Sequence, residues 1–405
     1  MRNKLKKVLF ICSLYRPHVG GIETSMEELS RYYKDKGVNS YVLTKKYPLS
    51  LKEKETIKGV PVFRILSPKY ERDFYNIIDW IKNNENKFKA DIVHIIGIRR
   101  PLPIIGLILA RLWDVPYVVT FSGGDVIDPG DKSTIKLWNE GKQTVPQSIL
   151  QADWRVAFSK SIRKNAIKTI PQLKSNQIDI IYAGTHPQII NLFPAFKTER
   201  PYIIAIRRLF YSKGVDLLIK AFSKLHKKYP EIDLYIIGNG PEKEKLVLLA
   251  DKLKLSQKIK FLGQLAHEET YSYLRGAMVN VCPSRAEGGG NVNIEAQAAS
   301  CLAIGSNAGG IPEYIENNIT GLIFKSGDID DLVNKLDLVL GNDKLRRRIV
   351  DQAKKKIRRF DWTTISNQYL RGYKKAIKNS VNKDYLPWSR FSKNLWQRLN
   401  KYEKN

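Results

Sequence analysis

Residues 279–299, VNVCPSRAEGGGNVNIEAQAA, contain a short apolar run, a glycine-rich turn and the start of a helical pattern. The run VNVCPS (279–284) predicts a buried strand that ends at Pro283 and Ser284, and the stretch from Asn291 onward predicts a helix. A strand that leads through a turn into a helix is the repeating unit of α/β sheets. This segment therefore predicts a parallel sheet that is covered by helices.

The same alternation of short apolar runs and helical patterns continues in both directions along the chain. In the first half the predicted strands are VLFICSL (8–14), SYVLT (40–44), PVFRIL (61–66), DIVHIIG (91–97), YVVTF (117–121), RVAFS (155–159) and DIIYA (179–183). In the second half they are YIIAI (202–206), DLYIIG (233–238), IKFLG (259–263), VNVCPS (279–284), LAIGS (302–306) and GLIF (321–324). The predicted fold class is α/β, with two Rossmann-like domains that face each other across a cleft.

The pattern is interrupted over residues 191–200, NLFPAFKTER, which carry no periodicity. We therefore predict a first domain over residues 1–192 and a second over residues 193–361. In open α/β sheets ligands bind outside the carboxyl ends of the strands, so the functional residues are expected directly after strands.

Basic residues greatly outnumber acidic ones. The 405 residues include 69 Lys and Arg against 40 Asp and Glu, a formal charge of +29. Nucleic acid, an anionic membrane or a phosphate-rich substrate would each fit this excess, and a lysine-rich proteome would explain it without a partner. No nucleic-acid-binding motif accompanies the charge, so nucleic acid is not a predicted partner.

The cysteines and the N-terminal segment indicate a cytoplasmic protein. Cys12, Cys282 and Cys301 show no metal-binding spacing and are interpreted as reduced core residues. The start, MRNKLKKVLFICSLYRP, is similar to a signal peptide, but its apolar run is short and a glycine turn follows it. A first buried strand explains it better.

Two glutamates flank a run of three glycines. Glu287 precedes Gly288, Gly289 and Gly290, and Glu295 lies on the helix that follows. Backbone N–H groups of such a turn, beside a helix N-terminus, suit a diphosphate, and the two carboxylates suit sugar and ribose hydroxyls. A plain helix start, with Glu287 near the positive end of the helix dipole, explains the same residues. The residues alone leave both interpretations open.

A basic loop follows the first strand of the second half. In RRLFYSKGVDLLIKAF, residues 207–222, Arg208 and Lys213 precede an amphipathic helix. Two cations at a strand end suit a pyrophosphate. A solvated basic loop is the alternative.

These segments together resemble glycosyltransferase family 4, also called the group 1 glycosyltransferases, whose two-domain fold is named GT-B. The resemblance rests on the glutamates with seven residues between them and on further matching segments. These are GGIE (20–23), DIVH (91–94), VPYVVTFSGGD (115–125), YAGTHPQIINLFP (182–194), RLFYSKG (208–214), IIGNGPEKEKL (236–246), FLGQLAHEE (261–269) and GGIPEYIENNITGLIF (309–324).

The resemblance implies a retaining enzyme that moves a hexose-type sugar from a nucleoside-diphosphate sugar, with a UDP-sugar favoured, to an acceptor hydroxyl. It implies no metal and no other cofactor. Glu287 would orient the donor sugar, Glu295 would hold the ribose, and Arg208 and Lys213 would neutralise the diphosphate. The remaining donor-binding candidates are Gly20, Gly21, Gly288, Gly289, Gly290, Asn291 and Val292. The implied products are bacterial surface polysaccharides, glycolipids or other glycoconjugates.

The chain departs from the family pattern in the first domain. Residues 122–125, Ser-Gly-Gly-Asp, replace the usual His-Gly-x-Asp, so Ser122 stands where the family has a histidine. Asp125 is retained and is the candidate for contacting the acceptor. Gly289 replaces a common aromatic residue, which predicts a wider sugar pocket.

Other polar residues have structural interpretations. Asp328 and Asp330 form a DxD string, but they introduce a helical pattern and are interpreted as capping residues. His186 is interpreted as a loop residue, and His94 as a structural or cleft-lining residue. A sugar-nucleotide 2-epimerase of the same fold and a basic nucleic-acid-binding protein remain alternatives for the whole chain.

The C-terminal segments predict contact with a membrane. Residues 360–377 resemble the helix that crosses back to the first domain in this fold, which predicts a crossing helix over 362–380 and a basic, tryptophan-containing tail over 381–405. Both the tail and residues 344–359, KLRRRIVDQAKKKIRR, combine an apolar helical stripe with many cations. We therefore predict a peripheral protein on the inner face of the plasma membrane that acts on a lipid-linked or otherwise anionic acceptor. Packing of the tail on the first domain is the alternative.

Overall fold

A computed structural model provides the structure. It describes residues 5–18, 20–66, 77, 80–81, 83–99, 101–124, 126–128, 134–135, 139 and 145–380. Asp125 and the predicted tail, residues 381–405, lie outside the described residues. Within these ranges the chain forms two sheets, each with a hydrophobic cluster on either face.

The first sheet has eight strands among the described residues, in the order β3-β4-β2-β1-β5-β6-β7-β8. They are β1 (Lys7–Cys12), β2 (Asn39–Lys45), β3 (Lys54–Ile57), β4 (Val60–Ile65), β5 (Ile92–Ile96), β6 (Tyr117–Phe121), β7 (Trp154–Ala157) and β8 (Asp179–Ile180). All pairs except β3 with β4 are parallel. Because β1 pairs with β2 on one side and β5 on the other, the strand order reverses there.

Strand β3 was not predicted from the sequence. It forms an antiparallel hairpin with β4 through Lys58 and Gly59, whose φ angles of 49° and 81° are those of a primed two-residue turn. Its sequence, KETI, lacks an apolar run because β3 lies at the sheet edge, where its side chains are only partly buried.

The helices of the first half that the structure describes from end to end cover this sheet. They are α1 (Gly21–Asp35), α2 (Leu102–Trp113), α3 (Val145–Leu150), α4 (Lys160–Thr169) and α5 (Pro187–Ile190). His186 immediately precedes α5, where its Nε2 lies 2.6 Å from Glu28 Oε2 of α1.

The second sheet is parallel throughout, in the order β11-β10-β9-β12-β13-β14. Its strands are β9 (Tyr202–Ile206), β10 (Asp233–Ile237), β11 (Ile259–Gly263), β12 (Val279–Cys282), β13 (Leu302–Ser306) and β14 (Leu322–Phe324). The order reverses between β9 and β12, so the loops after these two strands leave the sheet in a crevice.

The helices of the second half are α6 (Val215–Leu225), α7 (Lys243–Lys252), α8 (His267–Gly276), α9 (Asn291–Ala298), α10 (Ile311–Tyr314), α11 (Ile329–Leu340), α12 (Asp343–Lys356) and α13 (Trp362–Ser380). Asp328 caps α11, because its side chain accepts the backbone N–H of Asp331. The capping interpretation of Asp328 is therefore confirmed. Within the described ranges, no helix combines the length and apolarity needed to cross a membrane.

Helix α13 packs against the first sheet. Tyr369 and Tyr373 join the cluster that contains Phe10 of β1. The His94 ring lies between this helix and the sheet, with Nδ1 2.6 Å from Tyr373 Oη and Nε2 2.7 Å from Thr120 Oγ1. Burial lowers the pKa of His94 to about 3, so the ring is neutral and its role is structural.

The predicted fold class is confirmed by these two facing sheets. The predicted domain boundary at 192/193 falls in the segment between α5 and β9, and its position stays a prediction. The three cysteines are free and buried, as predicted for core residues.

Candidate active site

The predicted donor-side residues meet at the crevice between β9 and β12. Arg208 and Lys213 lie on the loop that follows β9, and Glu287 lies on the loop that follows β12. Gly214 has a φ of 66°, and a Cβ there would lie 2.0 Å from the carbonyl oxygen of Pro283. Only glycine allows this approach, which brings the two loops together.

Glu287 is held by cations. Its Oε2 lies 3.2 Å from Lys213 Nζ and 3.4 Å from Arg207 Nη1, and it accepts a hydrogen bond from Ser284 Oγ at 3.4 Å. Burial by itself raises the pKa of this carboxyl, but Lys213 and Arg207, with a contribution from Arg208, hold its pKa below the ordinary value. Glu287 is therefore an ionised carboxylate at neutral pH, and it accepts hydrogen bonds without donating any.

The glycines after Glu287 lead into the N-terminus of α9. Gly290 precedes α9 with a φ of 82°, which favours glycine. Asn291 and Val292 are the first helical residues, so their backbone N–H groups have no partner within the helix. The Val292 side chain packs against the neighbouring hydrophobic cluster.

The predicted widening of the pocket at Gly289 stays a prediction, but the structure shows which side chain packs beside this residue. A Cβ at this position would lie 2.6 Å from the ring of Tyr314, so an aromatic ring from α10 already fills that side. The side chain that residue 289 lacks is replaced by one that lies 25 positions further along the chain.

Glu295 forms a pair with a histidine from another element. Its Oε1 lies 3.0 Å from Nε2 of His267, the first residue of α8. Burial alone lowers the pKa of His267, but the Glu295 carboxylate raises it more, and the net shift is upward. The carboxylate predicted to bind ribose thus has a protein partner in this structure.

Glycines of the first half of the chain lie close to the loop and helix that carry the donor-side residues. A Cβ on Gly21 would lie 3.2 Å from Nδ2 of Asn291, so the loop before α1 lies across the cleft from the N-terminus of α9. A Cβ on Gly123 would lie 3.0 Å from the Cα of Gly288. The structure therefore brings the Gly20–Gly21 loop together with the predicted donor site.

A buried acid lies in the first turn of α1. Glu23 is 6% exposed, and one of its oxygens would lie 2.7 Å from a Cβ on Gly20. Burial raises the pKa of Glu23 to about 7, and the cations Arg16 and Arg208 oppose this shift only in part. Glu23 was not a predicted site residue, although it is the acid of the GGIE segment (20–23).

Arg208 is exposed and lies over the ring of Phe210, with its guanidinium carbon 5.4 Å from the ring centroid. Burial, Arg208 and then Arg99 lower the pKa of His18, which places a cationic surface near the first-domain loop. Ser122, at the family's histidine position, is buried. Asp125 cannot be assigned a contact because it lies outside the described residues.

A carboxylate from the second half caps a helix of the first half. The Glu313 side chain accepts the backbone N–H of Lys160 at 2.7 Å and of Ser161 at 2.9 Å, at the start of α4. Tyr314 Oη donates to the carbonyl oxygen of Phe158 at 2.8 Å. These bonds hold the two halves together at one end of the cleft.

Two facing Rossmann-like sheets, with polar groups gathered where the strand order reverses, define the GT-B class of glycosyltransferases. The family model described as Glycosyltransferase Family 4 matches residues 19–189, and the model described as Glycosyl transferases group 1 matches residues 191–356. The chain belongs to this group 1, family 4 class of glycosyltransferases.

Two relatives and one solved structure show what the chain is similar to. An uncharacterised glycosyltransferase of Methanocaldococcus jannaschii is 25% identical over 352 residues, which cover 86% of this chain and 93% of that protein. The gpi3 subunit of the phosphatidylinositol N-acetylglucosaminyltransferase of Schizosaccharomyces pombe is 23% identical, covering 82% of this chain and 72% of that protein. Anabaena HepE, solved in complex with UDP-glucose, is 18% identical with a TM-score of 0.74, covering 90% of this chain and 98% of that chain.

Proposed function

We propose that the chain is a retaining glycosyltransferase that moves a hexose-type sugar from a nucleoside-diphosphate sugar to an acceptor hydroxyl. A UDP-sugar is the favoured donor. The products would be bacterial surface polysaccharides, glycolipids or other glycoconjugates. Residues 1–192 would bind the acceptor and residues 193–361 the donor, as in the predicted division of the chain.

One observation carries the proposal: an ionised, cation-paired carboxylate, Glu287, lies between a basic loop and the free N-terminal amides of α9. Arg208, Lys213 and these amides would stabilise the charge that develops on the leaving diphosphate. Preorganised positive groups of this kind are commonly the largest contribution to catalysis. Glu287 would accept hydrogen bonds from the donor sugar, and Glu295 would accept them from the ribose.

Retention of configuration would follow from attack on the same face as the departing phosphate, with a phosphate oxygen taking the proton of the acceptor hydroxyl. The bond from the anomeric carbon to the phosphate oxygen breaks, and a bond to the acceptor oxygen forms. Asp125 is the proposed contact with the acceptor. Closure of Gly21 on Asn291 and of Gly123 on Gly288 would exclude water, which otherwise hydrolyses the donor.

A thermal-shift screen against UDP-, GDP-, ADP- and dTDP-sugars tests the donor class, because a ligand that binds only the folded state raises the melting temperature. NMR of the product then gives its anomeric configuration. An inverted product would contradict retention, and no shift with any nucleotide sugar would contradict the donor site.

Two alternatives make different predictions. A sugar-nucleotide 2-epimerase would release nucleotide without an acceptor, so acceptor-dependent release favours the transferase. A nucleic-acid-binding protein would bind nonspecific DNA with an affinity that falls steeply with salt. Strong, salt-sensitive DNA binding without a nucleotide-sugar response would favour that alternative.

The proposed mechanism uses cationic side chains instead of a metal ion. Turnover is therefore expected to continue in EDTA. Complete loss on chelation, with recovery on adding Mn²⁺ or Mg²⁺, would contradict the assigned roles of Arg208 and Lys213.

We also propose that the protein binds the inner face of the plasma membrane. Helix α12 supports this, because Ile349 and Ala353 face the protein while its cations face outward. The cations of α12 that are exposed include Lys344, Arg347, Arg348, Lys354 and Lys355. Each basic residue near an anionic surface adds about 1 kcal/mol.

Sedimentation with vesicles tests the membrane proposal. Full-length protein should pellet with anionic vesicles and not with neutral ones, and salt should release it. A Lys354→Glu variant should bind less, whereas Lys252→Glu, on the exposed end of α7, serves as the charge-matched control. Equal pelleting after truncation beyond Lys378 would remove the tail from the proposal, and no pelleting at all would contradict it.

A further inference from the structure

Arg207, the residue immediately after β9, is a buried cation beside the candidate site. Its side chain is 6% exposed, and its Nη1 lies 3.4 Å from Glu287 Oε2. Its backbone N–H donates to the carbonyl oxygen of Ile237, which fixes the residue to the end of the sheet. Consecutive residues of a strand point to opposite sides, so the buried Arg207 and the exposed Arg208 diverge.

The Arg207 guanidinium has hydrogen-bond donors that Glu287 does not use. Its Nε and Nη2 are both buried, and neither has a hydrogen-bond partner within the part of the chain that the structure describes. These two nitrogens lie on the same edge of the planar group, and that edge forms two parallel bonds to a carboxylate or phosphate. Leaving buried donors of a cation unsatisfied is unfavourable, which makes this edge a place where a ligand would gain binding energy.

A role as counter-ion to Glu287 alone does not account for this edge. The same Glu287 Oε2 already has Lys213 Nζ at 3.2 Å and Ser284 Oγ at 3.4 Å. Arg207 reaches this oxygen only through Nη1. That distance, 3.4 Å, equals the Ser284 distance and is longer than the Lys213 distance. One carboxylate charge facing two nearby cations leaves a positive excess, which suits an anion.

Building on the proposed function, we propose that Arg207 is a donor-binding residue whose Nε and Nη2 bind two oxygens of an anionic group on the sugar nucleotide. The ligand chemistry is a pair of coplanar oxygens that share negative charge. The β-phosphate of the donor carries such a pair, and so does a carboxylate on the donor sugar itself.

Calorimetry with three ligands separates these sources. The ligands are the nucleoside diphosphate, its glucose derivative and its glucuronic acid derivative, with the base chosen by the thermal-shift screen. The variant is Arg207→Lys, which keeps the positive charge but loses the planar pair of donors, Nε and Nη2. Lys252→Met, which removes an exposed cation from α7, is the control, and melting curves check that each variant is folded.

If Arg207 binds the β-phosphate, Arg207→Lys should lower the affinity for all three ligands by about 10- to 100-fold, as expected for loss of a charge-assisted hydrogen bond. If Arg207 binds a sugar carboxylate, only the affinity for the glucuronic acid derivative should fall. Both results support the proposal.

Two other patterns overturn it. Unchanged affinity for all three ligands would leave Arg207 as a structural cation. Equal weakening of both sugar derivatives, with the diphosphate unchanged, would mean that Arg207 acts only by positioning Glu287. A wild-type protein that binds no nucleotide contradicts the proposed function itself, whereas wild-type binding with an unaffected variant contradicts only the role of Arg207.

Discussion

The two sheets present different surfaces to the cleft. On the second sheet, the loops after β9 and β12 carry Arg207, Arg208 and Lys213 around a single carboxylate with a lowered pKa. On the first sheet, the loop after β1 carries glycines, and the acid beside them, Glu23, has a pKa raised to about 7 because its burial outweighs the opposing effect of Arg16 and Arg208. The second half thus brings a fixed charge to the cleft, and the first half brings a protonatable group.

This difference suggests a division of work between the halves. The second half has its charges in place before a ligand arrives, because its cations and carboxylate are already paired. The first half contributes surfaces that fit closely, since a Cβ on Gly21 would lie 3.2 Å from Asn291 Nδ2 and one on Gly123 would lie 3.0 Å from the Cα of Gly288. Substitutions in the second half should therefore affect chemistry, and those at the glycines should affect closure.

Removal of the charged pair should have the largest effect. We expect Glu287→Ala and Lys213→Ala each to lower kcat/KM by about 2–4 kcal/mol in transition-state stabilisation while the protein stays folded. Steady-state kinetics on purified variants measures this. Lys252→Ala, on α7, is the matched control, and near-wild-type turnover in either site variant would contradict the site assignment.

A methyl group at the closing surface should have the next largest effect. Gly123→Ala would place a Cβ 3.0 Å from the Cα of Gly288, and both are backbone positions that cannot rotate away. We expect about 1–3 kcal/mol of destabilisation of the closed form, seen as a lower kcat/KM with near-normal binding of nucleotide to the second half.

Gly341→Ala is the steric control for that experiment. Gly341 directly follows α11, and a Cβ there would also meet an atom at 3.0 Å. That atom is the hydroxyl oxygen of the Tyr229 side chain, which can move. Loss of nucleotide affinity equal to the loss of turnover in Gly123→Ala would show that closure is not the step affected.

The sequence predicts one part of this molecule well and another part poorly, for a physical reason. Strands such as β1 and β12 are buried on both faces, so their apolar runs stand out, whereas the edge strand β3 has no such run. Glu287 and Lys213 could be found because each follows a strand. The Glu313 cap on α4 could not, since its partners lie 152 and 153 positions away and depend on how the two halves meet.

Arg207 and His267 were missed for a related reason. Arg207 is next to Arg208 in the sequence, and only the direction in which a strand ends decides which of the two is buried. His267 begins a helix whose partner, Glu295, belongs to another helix. Tyr314 likewise fills space beside Gly289 from a different loop. Contacts between separate elements require the folded arrangement.

Loss of the interdomain cap should have a moderate effect. Glu313→Gln removes the charge that strengthens two hydrogen bonds to the backbone of α4. We therefore expect kcat/KM to fall several-fold, which corresponds to about 1 kcal/mol of transition-state stabilisation. Small-angle scattering should show a more open molecule. Glu316→Gln is the matched control, because the partners of Glu316 are Lys356 and Arg359 in the same half. An unchanged scattering profile in Glu313→Gln would contradict the cap's role in closure.

The smallest effect should be a pH dependence of donor binding through His267. The pKa of His267 is raised, because attraction to Glu295 and then Glu268 outweighs burial and the opposing Arg16. The pair therefore stabilises the protein at pH values below the ordinary histidine pKa and is lost as the pH rises through the raised value. We expect the same deprotonation to weaken the bond to Glu295, which would then compete less with the ribose hydroxyls proposed as its ligands.

We therefore expect the Kd for UDP-glucose to fall by about 2- to 5-fold as the pH rises through the raised pKa, the range of a partly exposed ion pair. UDP-glucose is the suitable ligand because both phosphates are esterified and keep a constant charge. His267→Phe should bind with no such pH dependence. His226→Phe, which removes a ring whose Nδ1 lies 2.8 Å from the Ser223 carbonyl oxygen, should keep it. A wild-type Kd that does not change with pH would mean that the His267 bond does not compete with ribose for Glu295.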